Sequence, residues 1–194
     1  SRDLVVMAEE MDEASYVRHH PKKIALIFAA MRKFARVLES DGWRVSYSRL
    51  DDADNAGSIG STLLRHAEWE KATEVFVTEP GEWRLIAALN DLPLTVRMLE
   101  DDRFLATHSD FETWAKGRKA LRMEYFYRAM RRKTGLLMDG NDPAGGPWNF
   151  DHDNRKPAPD AITHSGPLGF EPDETVQEVL DLVEARFGDH FGTL

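Results

Sequence analysis

Four short strand-like runs alternate with longer segments along the first half of the chain, and this alternation is what most constrains the fold. The runs are Asp3–Ala8, Trp43–Ser48, Glu74–Thr78 and Leu94–Leu99. From Leu4 onward the first run is apolar throughout, which predicts a strand buried on both faces, as in parallel sheets. The segments between the runs are long enough for right-handed helical crossovers. The sequence therefore predicts an α/β fold with a doubly wound, mainly parallel sheet, followed by helices and an interdomain segment.

Apolar residues at helical spacing predict the crossovers and the later helices. Lys22–Asp41 carries an apolar stripe with period 3.6, and Gly42 is a suitable stop. The other predicted helices are Ser58–Lys71, a segment through Leu85, Ile86 and Leu89, one starting in a capping box at Ser109, Met123–Thr134, and Glu171–Phe187.

Composition narrows the possible functions. The 194 residues contain no cysteine, which excludes disulfides, thiolate metal ligands and a cysteine nucleophile within this chain. No apolar run reaches membrane-spanning length and no signal-peptide layout is present, so we expect no membrane partner and a cytoplasmic location. The net charge of −9 argues against nucleic-acid binding over the whole surface.

Polar and aromatic side chains follow three of the predicted strands. The first connection holds Glu13 and Tyr16 after Glu9 and Glu10, the second is Asp51–Gly57, and the third holds Glu79, Glu82 and Trp83. In open parallel sheets, ligands bind beyond these strand ends. Acids and aromatic rings there suit a planar heterocycle that accepts stacking and donates hydrogen bonds. The alternative for each acid is a helix-capping or first-turn charge.

Other chemistries have little support from the sequence. The glycine-rich dinucleotide fingerprint, the P-loop and the serine elbow of hydrolases are absent. His19 and His20 are adjacent, so their side chains point in different directions, and Asp151–Asp153 is a similarly weak metal motif. We predict neither a metal site nor a catalytic residue in this chain.

The stretch Met123–Pro157 has an unusual composition, in which a basic, aromatic helix leads into a loop broken by Gly and Pro. Eight Lys and Arg residues lie between Lys116 and Lys133, against the single acid Glu124. Trp148 and Phe150 are costly to leave in water on an irregular backbone. Two interpretations remain open: the loop packs on its own domain, or it forms a docking surface for another domain, a ligand or a second copy of the chain.

Several of these segments together resemble one protein family. They are Glu13–His20, Asp51–Ser58, Thr78–Arg84, Met123–Arg128, Met130–Met138, Trp148–Asp151 and Asn154–Pro157. They look like the deoxyribodipyrimidine photolyase-related proteins, the bacterial iron–sulfur members of the cryptochrome/photolyase family. The resemblance covers most of the chain and concerns the N-terminal portion of such proteins.

The resemblance implies a light-dependent parent protein that repairs DNA as a lyase or acts as a photoreceptor. Its Rossmann-like α/β domain would hold an antenna chromophore, a ribityl-lumazine in relatives. FAD and the iron–sulfur cluster would belong to a C-terminal helical domain that these 194 residues lack. DNA and this helical domain would be the partners of the parent.

For this chain, the resemblance places the antenna-type domain in residues 1–137, without the expected opening strand and its Asp-Gln-Leu loop. Residues 138–194 would form the interdomain loop and helix. The predicted chromophore-binding residues are Glu13, Tyr16, Glu79, Glu82 and Trp83, with Glu13 as the best single candidate. We expect the isolated chain to be inactive in repair and to form a dimer if its loop covers a second copy. The alternative is a free-standing α/β nucleotide-binding or hydrolase domain.

Overall fold

The structure is a computed structural model that describes residues 3–155, 157 and 166–194. Lys156, which belongs to the motif Asn154–Pro157, and residues 158–165 therefore lie outside the described residues. The described chain divides into two compact units. One unit extends to Arg97 and includes Leu168–Leu194, and the other is Met98–Pro167. The predicted boundary at residue 137 remains a prediction. Within the described residues, no helix combines the length and apolar character needed to cross a membrane.

The first unit alternates strands and helices, so the predicted α/β class is confirmed. Its elements begin with β1 (Leu4–Ala8), α1 (Met11–Ser15), α2 (Pro21–Ser40) and β2 (Arg44–Ser48). They continue with α3 (Ile59–Glu70), β3 (Glu74–Thr78), α4 (Trp83–Asn90) and β4 (Thr95–Leu99), whose last two residues fall in the second unit.

The strands form two separate pairs rather than one continuous sheet. β1 pairs with β2 in parallel, with Leu4 opposite Arg44 and Ala8 opposite Ser48, and β3 pairs with β4. The structure thus has a small parallel sheet, while the doubly wound sheet remains a prediction. The expectation that the first strand is buried on both faces is wrong, because all five residues of β1 are only half-buried. A strand needs a neighbour on each edge and cover on each face to be fully buried.

The apolar core of this unit lies between two helices that are distant in sequence. The helix α8 (Glu174–Phe187) packs along α2 and buries Val179, Val183 and Phe187. From α2, Ile24 and Phe28 of the predicted stripe contribute to this core, together with Ala29, which was not predicted. Polar contacts flank this core, since Arg36 donates to the Thr175 hydroxyl at 2.7 Å and Lys33 pairs with Asp173 at 2.5 Å. The C-terminal helix is therefore part of the α/β unit.

The buried carboxylate of Glu9, directly after β1, forms an ion pair with Arg32 of α2. Glu9 is 0% exposed and accepts from Arg32 Nε at 2.6 Å and Nη2 at 3.0 Å. The Tyr47 hydroxyl and the Leu50 amide donate to the same carboxylate, at 2.8 and 3.0 Å. Burial raises the pKa of Tyr47, and the Glu9 charge and hydrogen bond raise it further. A buried charge is tolerated only when it is paired and hydrogen-bonded in this way.

The second unit contains two longer helices and a short hairpin. Its elements are α5 (His108–Ala115), α6 (Met123–Thr134), β5 (Met138–Asp139), β6 (Asp142–Pro143) and α7 (Asp151–Asn154). The capping box predicted at Ser109 starts two residues earlier, because the Thr107 hydroxyl and the Asp110 carboxylate exchange the capping bonds. An aromatic cluster of Phe111, Trp114 and Phe126 joins α5 to α6.

Internal contacts occupy part of the basic segment of α6. Trp148 is half-buried beneath three guanidinium groups: Arg132 lies 4.6 Å from the ring centre, and Arg128 and Arg131 lie 5.3 Å from it. Arg131 is itself buried and donates to the carbonyls of Trp148 and Leu137. Of the two interpretations of this loop, the structure shows packing on its own unit for Trp148. Docking of Phe150, which is half exposed, remains a prediction.

Candidate functional site

Three of the five predicted site residues come together around one arginine of α4. Arg84 Nη1 donates to Glu13 Oε1 at 2.9 Å, and Nη2 donates to Glu13 Oε2 at 2.7 Å. Arg84 Nη2 also donates to Glu82 Oε2 at 3.2 Å, and the Tyr16 hydroxyl donates to Glu82 Oε1 at 3.3 Å. We call Glu13, Tyr16, Glu82 and Arg84 the Arg84 cluster. It joins the connection after β1 to the start of α4.

The Arg84 cluster is held by both charge and ring contacts. The guanidinium lies 4.3 Å from the centre of the Tyr16 ring, within the range of a cation–π interaction. The hydrogen bonds to Glu13 are the largest influence on Arg84 and raise its pKa. All four side chains keep part of their surface in solvent, so a ligand can approach them. The cluster is an accessible patch with one cation, two carboxylates and an aromatic face.

The other two predicted residues are placed differently. Trp83 is the first residue of α4 and is 81% exposed, so its indole is free to stack on a ligand. Glu79 is half-buried in the connection between β3 and α4. The structure therefore assembles Glu13, Tyr16 and Glu82 around Arg84, and the exposed Trp83 lies between Glu82 and Arg84 in the chain.

In the connection after β2, the polar side chains of Asn55 and Asp52 form hydrogen bonds to the backbone. Asn55 donates to the carbonyls of Glu9 and Arg49, at 2.8 and 2.9 Å, and its own oxygen accepts from the Gly57 amide. Asp52 accepts from the Arg49 amide at 2.7 Å. These bonds fold the connection after β2 back onto the end of β1. The alternative that the sequence offered for these acids, a helix-capping or first-turn charge, does not apply to this connection, because Ser58 caps α3 and no acid lies in the first turn of that helix.

The adjacent histidines have structural contacts instead of a shared ligand position. His20 caps α2 by accepting from the Lys22 amide at 3.1 Å, and its ring packs edge-on against Phe191. The ring of His19 packs edge-on against Tyr16, with centroids 5.1 Å apart. The His19 carbonyl is bonded to His190 Nδ1 at 2.7 Å, which connects the segment after α8 to the backbone beside the Arg84 cluster. Burial lowers the pKa of His19.

Sequence reasoning missed the central role of Arg84. Arg84 lies in the connection after the third predicted strand, next to Trp83. It was not among the predicted site residues, because acids and aromatic rings were expected to bind the ligand. A usable signal was present, since Arg84 is a lone cation that follows the two strand-end acids Glu79 and Glu82. A guanidinium at a strand end attracts carboxylates from a neighbouring strand end.

One cavity of the first unit lies away from the Arg84 cluster. It has a volume of about 350 Å³ and is lined by residues at the start of β1 and β2 and the end of α3, among them His66 and Trp69. None of the predicted site residues lines it. The Arg84 cluster therefore offers an open surface, on which stacking and hydrogen bonds would hold a flat molecule.

Comparison with known proteins gives consistent matches. The model of a family described as "Deoxyribodipyrimidine photo-lyase-related protein" matches residues 1–194. A (6-4) photolyase of Agrobacterium fabrum is 51% identical over 198 residues, which cover 100% of this chain and 39% of that protein. An uncharacterised protein of Acanthamoeba polyphaga mimivirus is 24% identical over 174 residues, which cover 84% of this chain and 86% of that protein. The chain thus spans well under half the length of the bacterial relative, as its N-terminal portion.

Proposed function

Because the chain belongs to the deoxyribodipyrimidine photo-lyase-related proteins, we propose that it is the α/β domain of a light-driven flavoprotein and carries an antenna chromophore. The whole protein would use light for DNA repair or for photoreception, with DNA and a helical flavin domain as partners. The bacterial relative, a (6-4) photolyase, supports repair as the first activity to test. In this protein the antenna would pass excitation to the flavin and would not react with DNA itself.

The Arg84 cluster is the observation that carries the proposal for the chromophore. A ribityl-lumazine presents ring carbonyls that accept hydrogen bonds, a planar face and a chain of hydroxyl groups. Arg84 would donate to a ring carbonyl, Glu13 would accept from ribityl hydroxyls, and Tyr16 or Trp83 would stack on the ring. The donors and acceptors of the cluster fit this molecule. When bound, the chromophore supplies light absorption, while the chain orients it.

The test is a fluorescence titration of the 194-residue chain with a ribityl-lumazine. We expect Arg84→Ala and Glu13→Ala each to weaken binding about 10- to 100-fold, which corresponds to the loss of a charge-assisted hydrogen bond of roughly 1.5–3 kcal/mol. The matched control is Arg97→Ala, which removes an exposed arginine paired with Glu74 at 2.5 Å in the same unit. The control should bind like the unaltered chain.

Circular dichroism distinguishes loss of binding from loss of folding. If Arg84→Ala and Arg97→Ala bind the chromophore equally well, the Arg84 cluster is only a structural ion pair and the proposed site is wrong. The same titration with nucleoside mono- and triphosphates tests the alternative, a free-standing nucleotide-binding domain. Tighter binding of a nucleotide than of the lumazine would favour that alternative.

A further inference from the structure

Two pairs of side chains join β2 to α3 at the cavity that lies away from the Arg84 cluster. Ser46 Oγ lies 3.4 Å from His66 Nε2. Arg44 Nη2 donates to both carboxylate oxygens of Glu70, at 3.1 and 3.0 Å. All four residues line the cavity. We call this space the β2–α3 cavity and the two pairs its rungs.

The residue spacing explains why the two rungs form together. Arg44 and Ser46 are two positions apart on a strand, so their side chains leave the same face about 6.6 Å apart. His66 and Glu70 are four positions apart on a helix, so they share a face and lie about 6 Å apart along its axis. Because these separations match, each strand residue meets one helix residue. The polar groups of the two rungs are consequently about 6 Å apart.

Trp69 adds an aromatic face to the β2–α3 cavity. It follows His66 by three positions, on the same side of α3, and its side chain is 75% exposed. The indole is nearly parallel to the His66 ring, with an interplanar angle of 12° and ring centres 6.5 Å apart. A flat molecule stacked on Trp69 would therefore also lie parallel to the imidazole, and it would cover indole surface that is now in water.

The charges of the described lining residues favour an uncharged ligand. Arg44 and Glu70 neutralise each other within their rung. Burial lowers the pKa of His66, which is 8% exposed, and the Arg65 charge lowers it further. These effects exceed the opposing effects of Glu70 and Asp54, so the imidazole is uncharged at neutral pH. A neutral imidazole and a serine hydroxyl each offer a donor and an acceptor.

We propose that the β2–α3 cavity binds a neutral, amino-substituted two-ring heteroaromatic base of the adenine type. The base would stack on Trp69, and one of its ring nitrogens would accept from Ser46 or His66. Its amino group would donate to Glu70, whose oxygens accept from a single nitrogen of Arg44 and retain further lone pairs. Because the rungs are about 6 Å apart, a two-ring base can reach both, whereas a single ring reaches one.

The size and lining of the cavity agree with this ligand. Ligand pockets span roughly 300–1,000 Å³. The β2–α3 cavity, at about 350 Å³, lies at the small end of that range and suits a two-ring base better than a dinucleotide. Leu4 and Val45 contribute apolar lining for the ring. None of the residues of the Arg84 cluster lines this cavity, so the proposal does not depend on the chromophore site.

An NMR titration of the isotope-labelled 194-residue chain with adenosine tests the site. We expect the indole N–H signal of Trp69 to shift with a Kd of about 0.1–1 mM, as for a small ligand in an open cavity. Trp69→Ala should weaken binding about tenfold through the loss of stacking. Ser46→Ala should weaken it about threefold through the loss of one hydrogen bond. The matched control is Trp83→Ala, which removes another exposed indole of the same unit and should bind adenosine like the unaltered chain.

Two further probes test the chemistry of the ligand. Cytidine has an amino group beside a ring nitrogen but only one ring, and it should bind about tenfold more weakly than adenosine. Adenosine monophosphate should bind no more tightly than adenosine, because its phosphate would meet Glu70 while Arg44 is already paired. Equal binding of cytidine, or tighter binding of the monophosphate, would contradict the proposed ligand.

The variants decide where adenosine binds. If Trp83→Ala loses binding and Trp69→Ala retains it, adenosine binds at the Arg84 cluster and the proposal is wrong. The absence of any shift of the Trp69 indole signal at millimolar adenosine would equally overturn it. Circular dichroism of each variant shows that a loss of binding is not a loss of folding.

Discussion

Glu9 and Glu10 are neighbours in the sequence and are both buried, but their side chains have opposite electrostatic surroundings. Glu9 accepts hydrogen bonds from three side-chain donors and one backbone amide, including both ends of a guanidinium fork. Glu10 is 2% exposed and accepts one hydrogen bond, from the Thr62 hydroxyl at 2.5 Å. Its second oxygen, Oε2, has no partner within the described residues. The Glu9 carboxylate therefore has hydrogen-bond partners on both oxygens, and the Glu10 carboxylate has one on a single oxygen.

Removing the partner of Glu9 should be costly. Arg32 is 5% exposed, and Arg32→Met would leave the Glu9 charge buried without its cation. We expect a loss of about 3–5 kcal/mol in the free energy of unfolding, measured by urea denaturation. The exposed pair of Arg97 and Glu74 provides the comparison, and Arg97→Ala should cost at most about 1 kcal/mol.

The double variant Glu9→Gln with Arg32→Met makes this prediction sharper. Glutamine retains an oxygen for Tyr47 and Leu50 but has no charge, so the double variant should lose less stability than the sum of the two single variants. Strictly additive losses would show that Glu9 and Arg32 are not energetically coupled.

Glu10 gives a pH-dependent prediction. Burial is the main cause that raises the pKa of Glu10, and it outweighs the hydrogen bond from Thr62 and the charge of Arg65, while Asp12 and Glu13 raise the pKa further. A raised folded-state pKa means that the stability contributed by the protonated acid is complete below the unfolded value near 4.5 and is lost as pH rises through the folded value. Glu10→Gln should therefore increase Tm more at pH 8 than at pH 4.

A control fixes the interpretation of that result. Glu68 is an exposed acid of α3. Glu68→Gln should change Tm less than Glu10→Gln does, and its effect on Tm should differ less between pH 4 and pH 8. If Glu10→Gln lowers Tm at pH 8, the ionised carboxylate has a stabilising partner, and the view of Glu10 as an uncompensated acid is wrong.

The sequence could predict that acids gather at the strand ends, but not which of them remain accessible. Glu9, Glu10 and Glu13 have the same chemistry and lie within five positions. Their surroundings differ because α2 supplies Arg32 to Glu9, α3 supplies Thr62 to Glu10, and α4 supplies Arg84 to Glu13. A signal for the ion pair between Glu9 and Arg32 was available in α2, because Arg32 lies four residues after Phe28 on the apolar face of that helix. A charge in that position requires a buried partner.

Among the elements, the helices were more predictable than their packing partners. Periodicity predicted α2 and α8 within a few residues, because an amphipathic stripe is a local property. It could not predict that α8 would cover α2, since Val179 and Phe28 are far apart in sequence and many apolar faces are chemically equivalent. The same limit applies to the eight basic residues between Lys116 and Lys133, most of whose partners the sequence does not reveal. Lys133 of α6 pairs with Asp110 of α5 at 2.6 Å, whereas the pair of Arg128 with Glu124 at 2.7 Å has the local i,i+4 spacing.

The packing of Trp148 on α6 leads to a prediction about this unit. Trp148→Ala removes the ring beneath three arginines, and each exposed cation–π contact is worth about 0.5–1 kcal/mol. We expect the 194-residue chain to lose about 1–2 kcal/mol in the free energy of unfolding, measured by chemical denaturation with near-UV circular dichroism. The neighbouring aromatic Phe150 is half exposed and serves as the matched control.

The comparison between the two aromatics separates packing from docking. Phe150→Ala should change stability less than Trp148→Ala in this chain. If Trp148→Ala has no effect here but destabilises the full-length protein, Trp148 serves mainly to bind another domain. The contacts with the α6 arginines would then contribute little.

At the scale of the whole molecule, the sequence predicted the order of strands and helices but not the state of the sheet. Each strand is recognisable from its own five residues, whereas the continuity of a sheet depends on strand neighbours that no local pattern reveals. The half-buried β1 shows the difference, because its apolar sequence is suited to a central strand that has a neighbour on both sides. The family assignment rests on motifs spread over both units and so does not depend on the state of the sheet.

The last prediction concerns what the chain does alone. Under the proposed function, light-driven repair would take place in the helical flavin domain, and this chain would serve only as the antenna. The chain contains no cysteine that could hold an iron–sulfur cluster and no glycine-rich dinucleotide fingerprint. With its ribityl-lumazine added, the isolated chain should therefore absorb light but leave pyrimidine photoproducts unrepaired. The measurement is chromatography of an irradiated oligonucleotide after illumination, with the full-length flavin-containing protein as the positive control. Repair by the 194 residues at a rate comparable to the full-length protein would place the reaction in this chain and would contradict an antenna role.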